Sequence, residues 1–390
     1  MFDRVRTLYD RYFKQPNPIP PGIYTFMAPA DAPFPYRLHL RAEKSGEGVL
    51  IVNASTVLHL NRTAAEYAYH LITQDSSEKT AQEIAHRYRV SREQAAQDFS
   101  DFTERLMTLI EMPDLDPVSF LDFERDQMYS VDLSAPLRLD CALTYRTSDA
   151  AVPGPAPLER VKRELMFAEW QQVLDKAWAA GIPHVVFTGG EPTLRPDLVD
   201  LIAYAESLGM VTGVLSDGLR FTEPDYFTSI LNAGLDHLMI ILDPHEDQAW
   251  EAVRDTMAAD LHVTVHLTIT ADLQDEIDGI LSRLADLQVK SLSLSEADPS
   301  LNEILAGARE LAAHYQMALV WDLPTPYTRL NPVALELEAG GEPTDGSGRA
   351  WLYVEPDGDV LPGQGITSVL GNFLADPWDV IWQPVASPEK

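Results

Sequence analysis

Cysteine is nearly absent from this chain: 390 residues contain one, Cys141. A single thiol excludes an internal disulfide, a zinc ribbon, and any iron–sulfur cluster held by three or four thiolates of one chain. Positive charge is scarce as well, with 29 Lys and Arg against 60 Asp and Glu and a formal charge of −31. Binding to a phosphate backbone relies on Lys and Arg displacing counterions, so this balance argues against a nucleic-acid partner. No run reaches the roughly 18 apolar residues needed to span a membrane, and the opening MFDRVRTLYD lacks the apolar core of a signal peptide. The expectation is a cytoplasmic chain that meets neither membrane nor nucleic acid. What is present is a globular composition, 45% hydrophobic and 9% aromatic, over a length that accommodates two or three domains.

Five segments follow one another. Residues 1–36 form a proline-rich arm, with seven prolines between Pro16 and Pro35, expected to be extended and polyproline-like. In residues 37–115, alternating runs around PYRLHLRAE and EGVLIVNA flank the turn-like KSGEG and read as a hairpin. Three helices follow, each opened by a capping box: Thr63 with Glu66, Thr80 with Glu83, and Ser91 with Gln94. Phe99, Phe102, Leu106 and Leu109 place one apolar stripe on the third. A hairpin with three short helices is the outline of a winged-helix domain. Residues 41–115 carry eight Lys and Arg against twelve Asp and Glu, so Arg87, Arg89 and Arg92 read as a solvated helix junction and not as a DNA patch. Residues 116–135 read as a linker.

From 136 to 325 strand and helix patterns alternate, which implies a parallel α/β sheet or barrel. The predicted strands are Leu137–Leu143, His184–Thr188, Met210–Leu215, His237–Leu242, Leu261–Thr270, Lys290–Ser295 and Met317–Leu323. Amphipathic helices are expected at Leu158–Ala180, Pro196–Leu208 and Gln274–Leu287, with Pro196 in a first turn and Gly209 just past a last one. Several strands alternate. His262, Thr264, His266, Thr268 and Thr270 share one face, opposite Val263, Val265, Leu267 and Ile269, and Ser291, Ser293 and Ser295 repeat the pattern. The apolar face packs under helices, and the polar face is expected to line a wet or ligand-filled lumen. That favours an open, partial barrel over a packed eight-stranded one. Residues 326–390 hold a hairpin around Pro356-Asp357-Gly358-Asp359 and two tryptophans, Trp378 and Trp382, expected to pack on the barrel.

The strongest local signal is HVVFTGGEPTLRPDL, followed one strand later by VTGVLSDG. An apolar strand runs into Gly189 and Gly190, which let the backbone turn sharply where ligands bind in such folds. Glu191 then supplies a carboxylate suited to an ammonium group. The segment 136–325 resembles the radical S-adenosylmethionine (radical SAM) superfamily, whose partial α/β barrel carries a GGEP motif that holds the methionine amino group of SAM. Gly189, Gly190, Glu191 and Pro192 match it letter for letter. GLDHLMIILDP resembles the family's fourth strand, with Asp243 matching and Arg254 in the following helix. Residues 37–115 resemble a RiPP recognition element, a winged-helix domain that captures leader peptides. LYVEPDGDVLP with the following LGN and IW resembles the SPASM extension of peptide-modifying members. The resemblance implies a polar pocket at the carboxyl ends of the strands, bordered by Gly189, Gly190, Glu191, Ser216, Asp243, Arg254, His266 and Thr268.

The departures carry as much. The family holds a [4Fe–4S] cluster through C-x-x-x-C-x-x-C, whereas CALTYRTS places Cys141, Tyr145 and Ser148 at those positions. A phenol and a hydroxyl are not soft ligands for iron–sulfur, so no such cluster is expected. In the SPASM-like segment Pro362 is followed by Gly363 where cysteine is usual, the upstream cysteine falls near Asp345, and Ile241 stands for a fourth-strand serine. His262 and His266 lie about 13 Å apart along a strand, too far to share a metal ion. Cys141 reads as an inert core residue. The leading expectation is a cluster-less relative of a peptide-modifying enzyme. It would bind a leader or precursor peptide, keep a pocket for SAM, a nucleotide or the peptide, and serve as a pseudoenzyme partner of an active modifying enzyme. The alternative is a SAM-dependent maturase working without a cluster or with an atypical one. A third is a structural remnant with no small ligand.

Overall fold

The computed structural model describes residues 19–29, 32, 36–52, 56–88, 90–111, 133, 135–148, 156–321, 323–332 and 346–383. Nearly all of the linker read at 116–135, and Asp345, lie outside them. The chain divides into two units, Met1–Ser130 and Val131–Lys390.

The first unit holds four antiparallel strands in chain order, β1 (Gly22–Met27), β2 (Arg37–Ala42), β3 (Gly48–Val52) and β4 (Thr56–Leu60), then α1 (Arg62–Ile72), α2 (Ser77–Tyr88) and α3 (Arg92–Glu111). The sheet therefore begins inside the segment read as an extended arm. β1 pairs with β2 from Gly22–Ala42 to Met27–Arg37. Its Gly-Ile-Tyr-Thr-Phe-Met run is proline-free and rich in β-formers, so its amides can join a ladder that the flanking prolines cannot. Leu38, Leu40, Leu50, Val52, Leu58 and Leu60 pack against Ala65, Ala68, Ile72 and Leu106 of the helices. Phe99 of α3 packs instead with Tyr67, Ala81 and Ile84. Two expected caps shift. Asn61, not Thr63, caps α1, accepting from the Ala64 amide at 3.0 Å. Ser76 accepts from the Lys79 amide at 3.3 Å, which leaves Thr80 buried inside α2. Ser91 caps α3 as expected, accepting from the Gln94 amide at 3.1 Å. In both shifted cases an earlier oxygen-bearing side chain already satisfies the first free amides.

The second unit is a parallel sheet of β5 (Arg138–Thr144), β6 (His184–Gly189), β7 (Val211–Ser216), β8 (His237–Ile241), β9 (His262–Ile269), β10 (Ser291–Glu296) and β11 (Ala318–Leu319), neighbours in chain order. Helices α4 (Phe167–Ala180), α5 (Leu198–Leu208), α6 (Pro224–Asn232), α7 (Asp247–Met257), α8 (Ile277–Asp286) and α9 (Asn302–His314) connect the strands. Beyond β5 the sheet continues through parallel β12 (Trp351–Val354) and antiparallel β13 (Asp359–Leu361) and β14 (Gly371–Asn372), followed by α10 (Trp378–Ile381). The result is an α/β partial barrel of radical SAM type. Trp378 and Trp382 stack with centroids 6.1 Å apart and pack on its core.

Some boundaries differ from the sequence reading. α4 starts at Phe167, because the Glu169 carboxylate caps the Met166 amide at 2.9 Å. Pro196 stands in the turn before α5, whose cap is Asp197, while Gly209 closes that helix at φ +85° as expected. A 3-10 turn at Ala271–Leu273 precedes α8. β11 shrinks from the expected Met317–Leu323 to two residues.

The helix-side face of the sheet buries Val263, Val265, Leu267 and Ile269, as the alternation requires. The opposite face is packed, and so differs from the wet lumen expected. Val186, Leu215, Met239 and Ile241 fill its middle with Leu323 against them. His266 is fully buried beside them, its Nδ1 2.9 Å from Ser293 Oγ and its Nε2 3.1 Å from Ser295 Oγ and 3.2 Å from Thr268 Oγ1. At the amino ends of the strands Arg138 donates to both oxygens of Asp140, at 2.7 and 3.1 Å. The His184 and His237 Nε2 atoms meet at 2.7 Å, and burial pushes His237 down to about 3. Gly213 makes room for that imidazole: a Cβ there would lie 2.1 Å from His237 Cε1.

Gly213→Ala is accordingly expected to cost about 1–3 kcal/mol by overpacking, read from the urea midpoint. In a His237→Ala background most of that loss should vanish. Equal loss in both backgrounds would mean that Gly213 matters for its backbone and not for the ring.

Candidate functional site

The site is built where β5 and β6 leave the sheet. Gly189 adopts φ +123°, and a Cβ on it would stand 2.2 Å from the Thr144 carbonyl oxygen. A Cβ on Gly190 would stand 2.2 Å from that of Arg146. Only glycine lets the two backbones approach this closely. The approach is locked by the Gly190 amide donating to Thr144 O at 2.8 Å and the Glu191 amide to Arg146 O at 2.7 Å. Pro192 then opens a 3-10 turn, and the buried Arg195 ties its far end to the Leu143 and Leu165 carbonyls.

The Glu191 carboxylate is tied into the fold, and the residue also borders the cleft described below. It is buried and turned inward: Oε1 accepts from the Thr193 amide at 2.8 Å and Ser216 Oγ at 2.9 Å, and Oε2 from the Asp217 amide at 2.8 Å. It staples the end of β6 to the end of β7. Burial, followed by the neighbouring Asp217 charge, pushes its carboxyl up to about 8, against the pull of the donors.

A cleft of about 410 Å³ opens at the carboxyl ends of β6, β7 and β8. Its wall includes Ser148, Gly190, Glu191, Asp217, Ile241, Asp243, Glu246 and the segment Pro326–Leu330. Of the expected border residues, Gly190, Glu191 and Asp243 are there. Gly189 and Pro192, the first and last residues of the motif, do not line the cleft, and Ser216 acts through Glu191. His266 and Thr268 are buried among the serines of β10, and their polar atoms satisfy one another. Arg254 lies on the polar face of α7, whose Ala249, Trp250, Ala252 and Val253 turn to the core, and it pairs with Asp255 at 3.1 Å.

Sequence reasoning missed Asp217, Tyr327 and Arg329. Asp217 follows Ser216 directly in VTGVLSDG and could have been found there. Tyr327 and Arg329 sit in an aperiodic loop that gives no local signal. Tyr327 is buried, its amide donates to the Gly189 carbonyl at 2.8 Å, and its ring meets Tyr145 edge-on at 5.3 Å. Arg329 pairs with Asp243 across the cleft wall.

The three cluster positions do not come together as ligands. Cys141 faces the helix-side core with no exposure, and burial holds its thiol well above the ordinary range. Tyr145 Oη donates to Glu355 Oε1 at 3.0 Å, and Arg160 Nε meets the same oxygen at 3.0 Å. Burial, then Tyr327 and Glu355, keeps the Tyr145 phenol protonated. Ser148 alone reaches the cleft. These residues do not fit a [4Fe–4S] cluster.

Residues 141–262 match the family model described as the Radical SAM superfamily. Among curated proteins, the PqqA peptide cyclase of Streptomyces rochei is 28% identical over 283 residues, 64% of this chain and 76% of that protein. That of Gluconobacter oxydans (strain 621H) is 38% identical over 109 residues, 27% of this chain and 30% of that protein. Among solved structures, Streptococcus suis SuiB bound to S-adenosylmethionine aligns with a TM-score of 0.54 at 14% identity, covering 89% of this chain and 87% of that one. SuiB bound to its precursor peptide SuiA aligns at 0.53 over 88% and 87%. The likeness to SuiB is one of fold. Among the described residues no helix is long and apolar enough to cross a membrane.

A Glu191→Gln variant, which cannot titrate, tests which force sets the Glu191 carboxyl. With the folded value raised above the unfolded one, the unfolded chain loses its proton first. The stability contribution is then full below about 4.5 and lost as pH rises towards about 8. Wild type should therefore be most stable relative to Glu191→Gln near pH 5, with the gap narrowing by up to about 1.4 kcal/mol per pH unit. A gap that widens with pH in urea titrations would mean that the three donors outweigh burial.

Proposed function

We propose that this chain is a cluster-less radical SAM-like protein that binds a peptide in a peptide-modification pathway. The observation that carries the reading is the fate of the three cluster positions: a buried thiol on the wrong face, a protonated phenol spent on Glu355, and a serine. Electron transfer from such a cluster is what cleaves SAM to a radical in the family, and these side chains offer no ligand set for it. The similarity to PqqA peptide cyclases and the fold shared with SuiB, solved with its precursor peptide, support a peptide partner. The β12–β14 hairpin is read as a SPASM-like extension without its cysteines.

The first unit is read as the peptide-recognition element. The β2 edge of the hairpin is taken by the chain's own β1. The opposite edge, β4, ends the four-stranded sheet and borders a groove of about 320 Å³ lined by Leu58, Tyr67, Asp98, Asp101, Phe102 and Leu106. An extended peptide adding there would gain main-chain hydrogen bonds from β4 and a wall from α3 that mixes apolar side chains with Asp98, Asp101 and Arg105, net acidic by one charge, which suits a neutral or basic segment. The cleft of the second unit supports a retained ligand site, with Gly190, Asp217, Ile241 and Asp243 placed to hold SAM or a related nucleoside. When bound to a cluster in the family, SAM supplies the radical, and no such step is assigned here. The runner-up, a SAM-dependent enzyme with no cluster or an atypical one, is favoured by the match over residues 141–262.

Anaerobic reconstitution with iron and sulfide should leave the purified chain without stoichiometric iron and without cluster absorbance in the visible range. Close to four irons per chain would overturn the cluster-less reading.

Peptide capture is tested separately, by titrating precursor peptides encoded beside the gene into the full chain and into a Phe102→Ala variant. The expected result is binding that weakens at least tenfold in the variant. If no peptide binds the full chain, the first unit has no recognition role.

A further inference from the structure

The cleft differs from the pocket the motif implies in one chemical respect. Two of the groups that would receive an ammonium at the Gly189–Glu191 turn already accept hydrogen bonds from the chain itself. The Gly189 carbonyl accepts the Tyr327 amide at 2.8 Å, and both oxygens of Glu191 are taken by donors from β7 and the 3-10 turn. A charged pair stands elsewhere in the same cleft. Asp243, at the end of β8, faces Arg329, which comes from the segment that follows Tyr327. The Asp243 carboxylate also accepts the His245 amide at 3.1 Å, which fixes its position.

We infer that Asp243 and Arg329 form a subsite for a zwitterionic α-amino-acid group, the carboxylate receiving its ammonium and the guanidinium its carboxylate. The inference rests on the reading of this cleft as a ligand site. Three observations lead to it. The pair is partly solvated, with side-chain exposures of 48% for Arg329 and 30% for Asp243, so it is held weakly and can open without stranding a buried charge. A zwitterion replaces each partner by a group of the same sign and geometry, and the planar guanidinium can take a carboxylate in two parallel hydrogen bonds. The remaining wall suits the rest of such a ligand. Asp217 and Glu246 add negative charge for a cationic centre, and Ile241 and Leu242 give an apolar surface. The volume of about 410 Å³ lies in the range of small-molecule sites. In this scheme the Asp243–Arg329 pair supplies the recognition of the amino-acid group.

The amino-acid group could belong to a free amino acid or to the amino-acid end of a nucleoside such as SAM. Calorimetric titration of the full chain with S-adenosylhomocysteine, 5′-methylthioadenosine (the same nucleoside without the amino-acid end) and methionine separates the two. S-adenosylhomocysteine is expected to bind at least tenfold more tightly than 5′-methylthioadenosine, and Arg329→Met should erase that difference. Asp243→Asn, which keeps the shape, should erase it as well, with thermal midpoints confirming that both variants fold. Methionine binding that depends on Arg329, without nucleoside binding, would uphold the subsite and remove the SAM reading of the cleft. Equal affinity for the two nucleosides, or a difference that survives Arg329→Met, would overturn the subsite and leave the cleft reading standing. No binding by any of the three would overturn both.

Discussion

The second unit depends on one close approach, that of Gly189 and Gly190 to the backbone leaving β5. Because neither residue has a side chain, the two segments come within hydrogen-bond distance, and two amide–carbonyl bonds fix the turn. That placement points Glu191 back under the chain, where its carboxylate ties together the ends of β6 and β7. The cleft opens beside those tied ends, where β8 finishes with Asp243. Any larger side chain at either glycine would have to displace backbone and not merely a flexible neighbour.

The loop after β5 is fastened by a network of hydrogen bonds. Tyr145 reaches Glu355, Arg160 neutralises the same carboxylate, and Tyr327 stacks edge-on against Tyr145. Glu355 is buried, and its carboxyl is raised by that burial against the opposing pull of Arg160 and Tyr145. Such a carboxylate is tolerated only while both partners remain, since an unpartnered buried charge is costly. The network joins the loop after β5 to the β12–β13 hairpin, so the carboxy-terminal extension helps to hold the site loop in place.

Much of this was legible in the sequence, for physical reasons that can be named. The period-two alternation of β9 gave the correct faces because one side must pack under helices. The glycine pair was visible because few other functions require two adjacent residues without side chains. The polar face of β9 and β10 was harder to read. His266 and the serines of β10 could equally have lined water, and only their mutual distances identify them as a closed hydrogen-bonded layer. β1 was hidden by composition, since the prolines on either side of Gly22–Met27 masked a run that pairs as an ordinary strand. Tyr327, Arg329 and Glu355 could not be found at all from local pattern. Their partners lie far away in sequence, Glu355 being 210 residues from Tyr145 and Arg329 86 from Asp243.

This separation bears on how a motif should be read. Gly189, Gly190, Glu191 and Pro192 match the family motif in full, and the Glu191 carboxylate ties the turn to the end of β7. The motif therefore shapes the turn and the strand ends as well as bordering the cleft. Exchanging either glycine would disturb backbone packing directly. The sequence departs from the family pattern at positions 145 and 148, where Tyr145 fastens the loop through Glu355 and Ser148 lines the cleft.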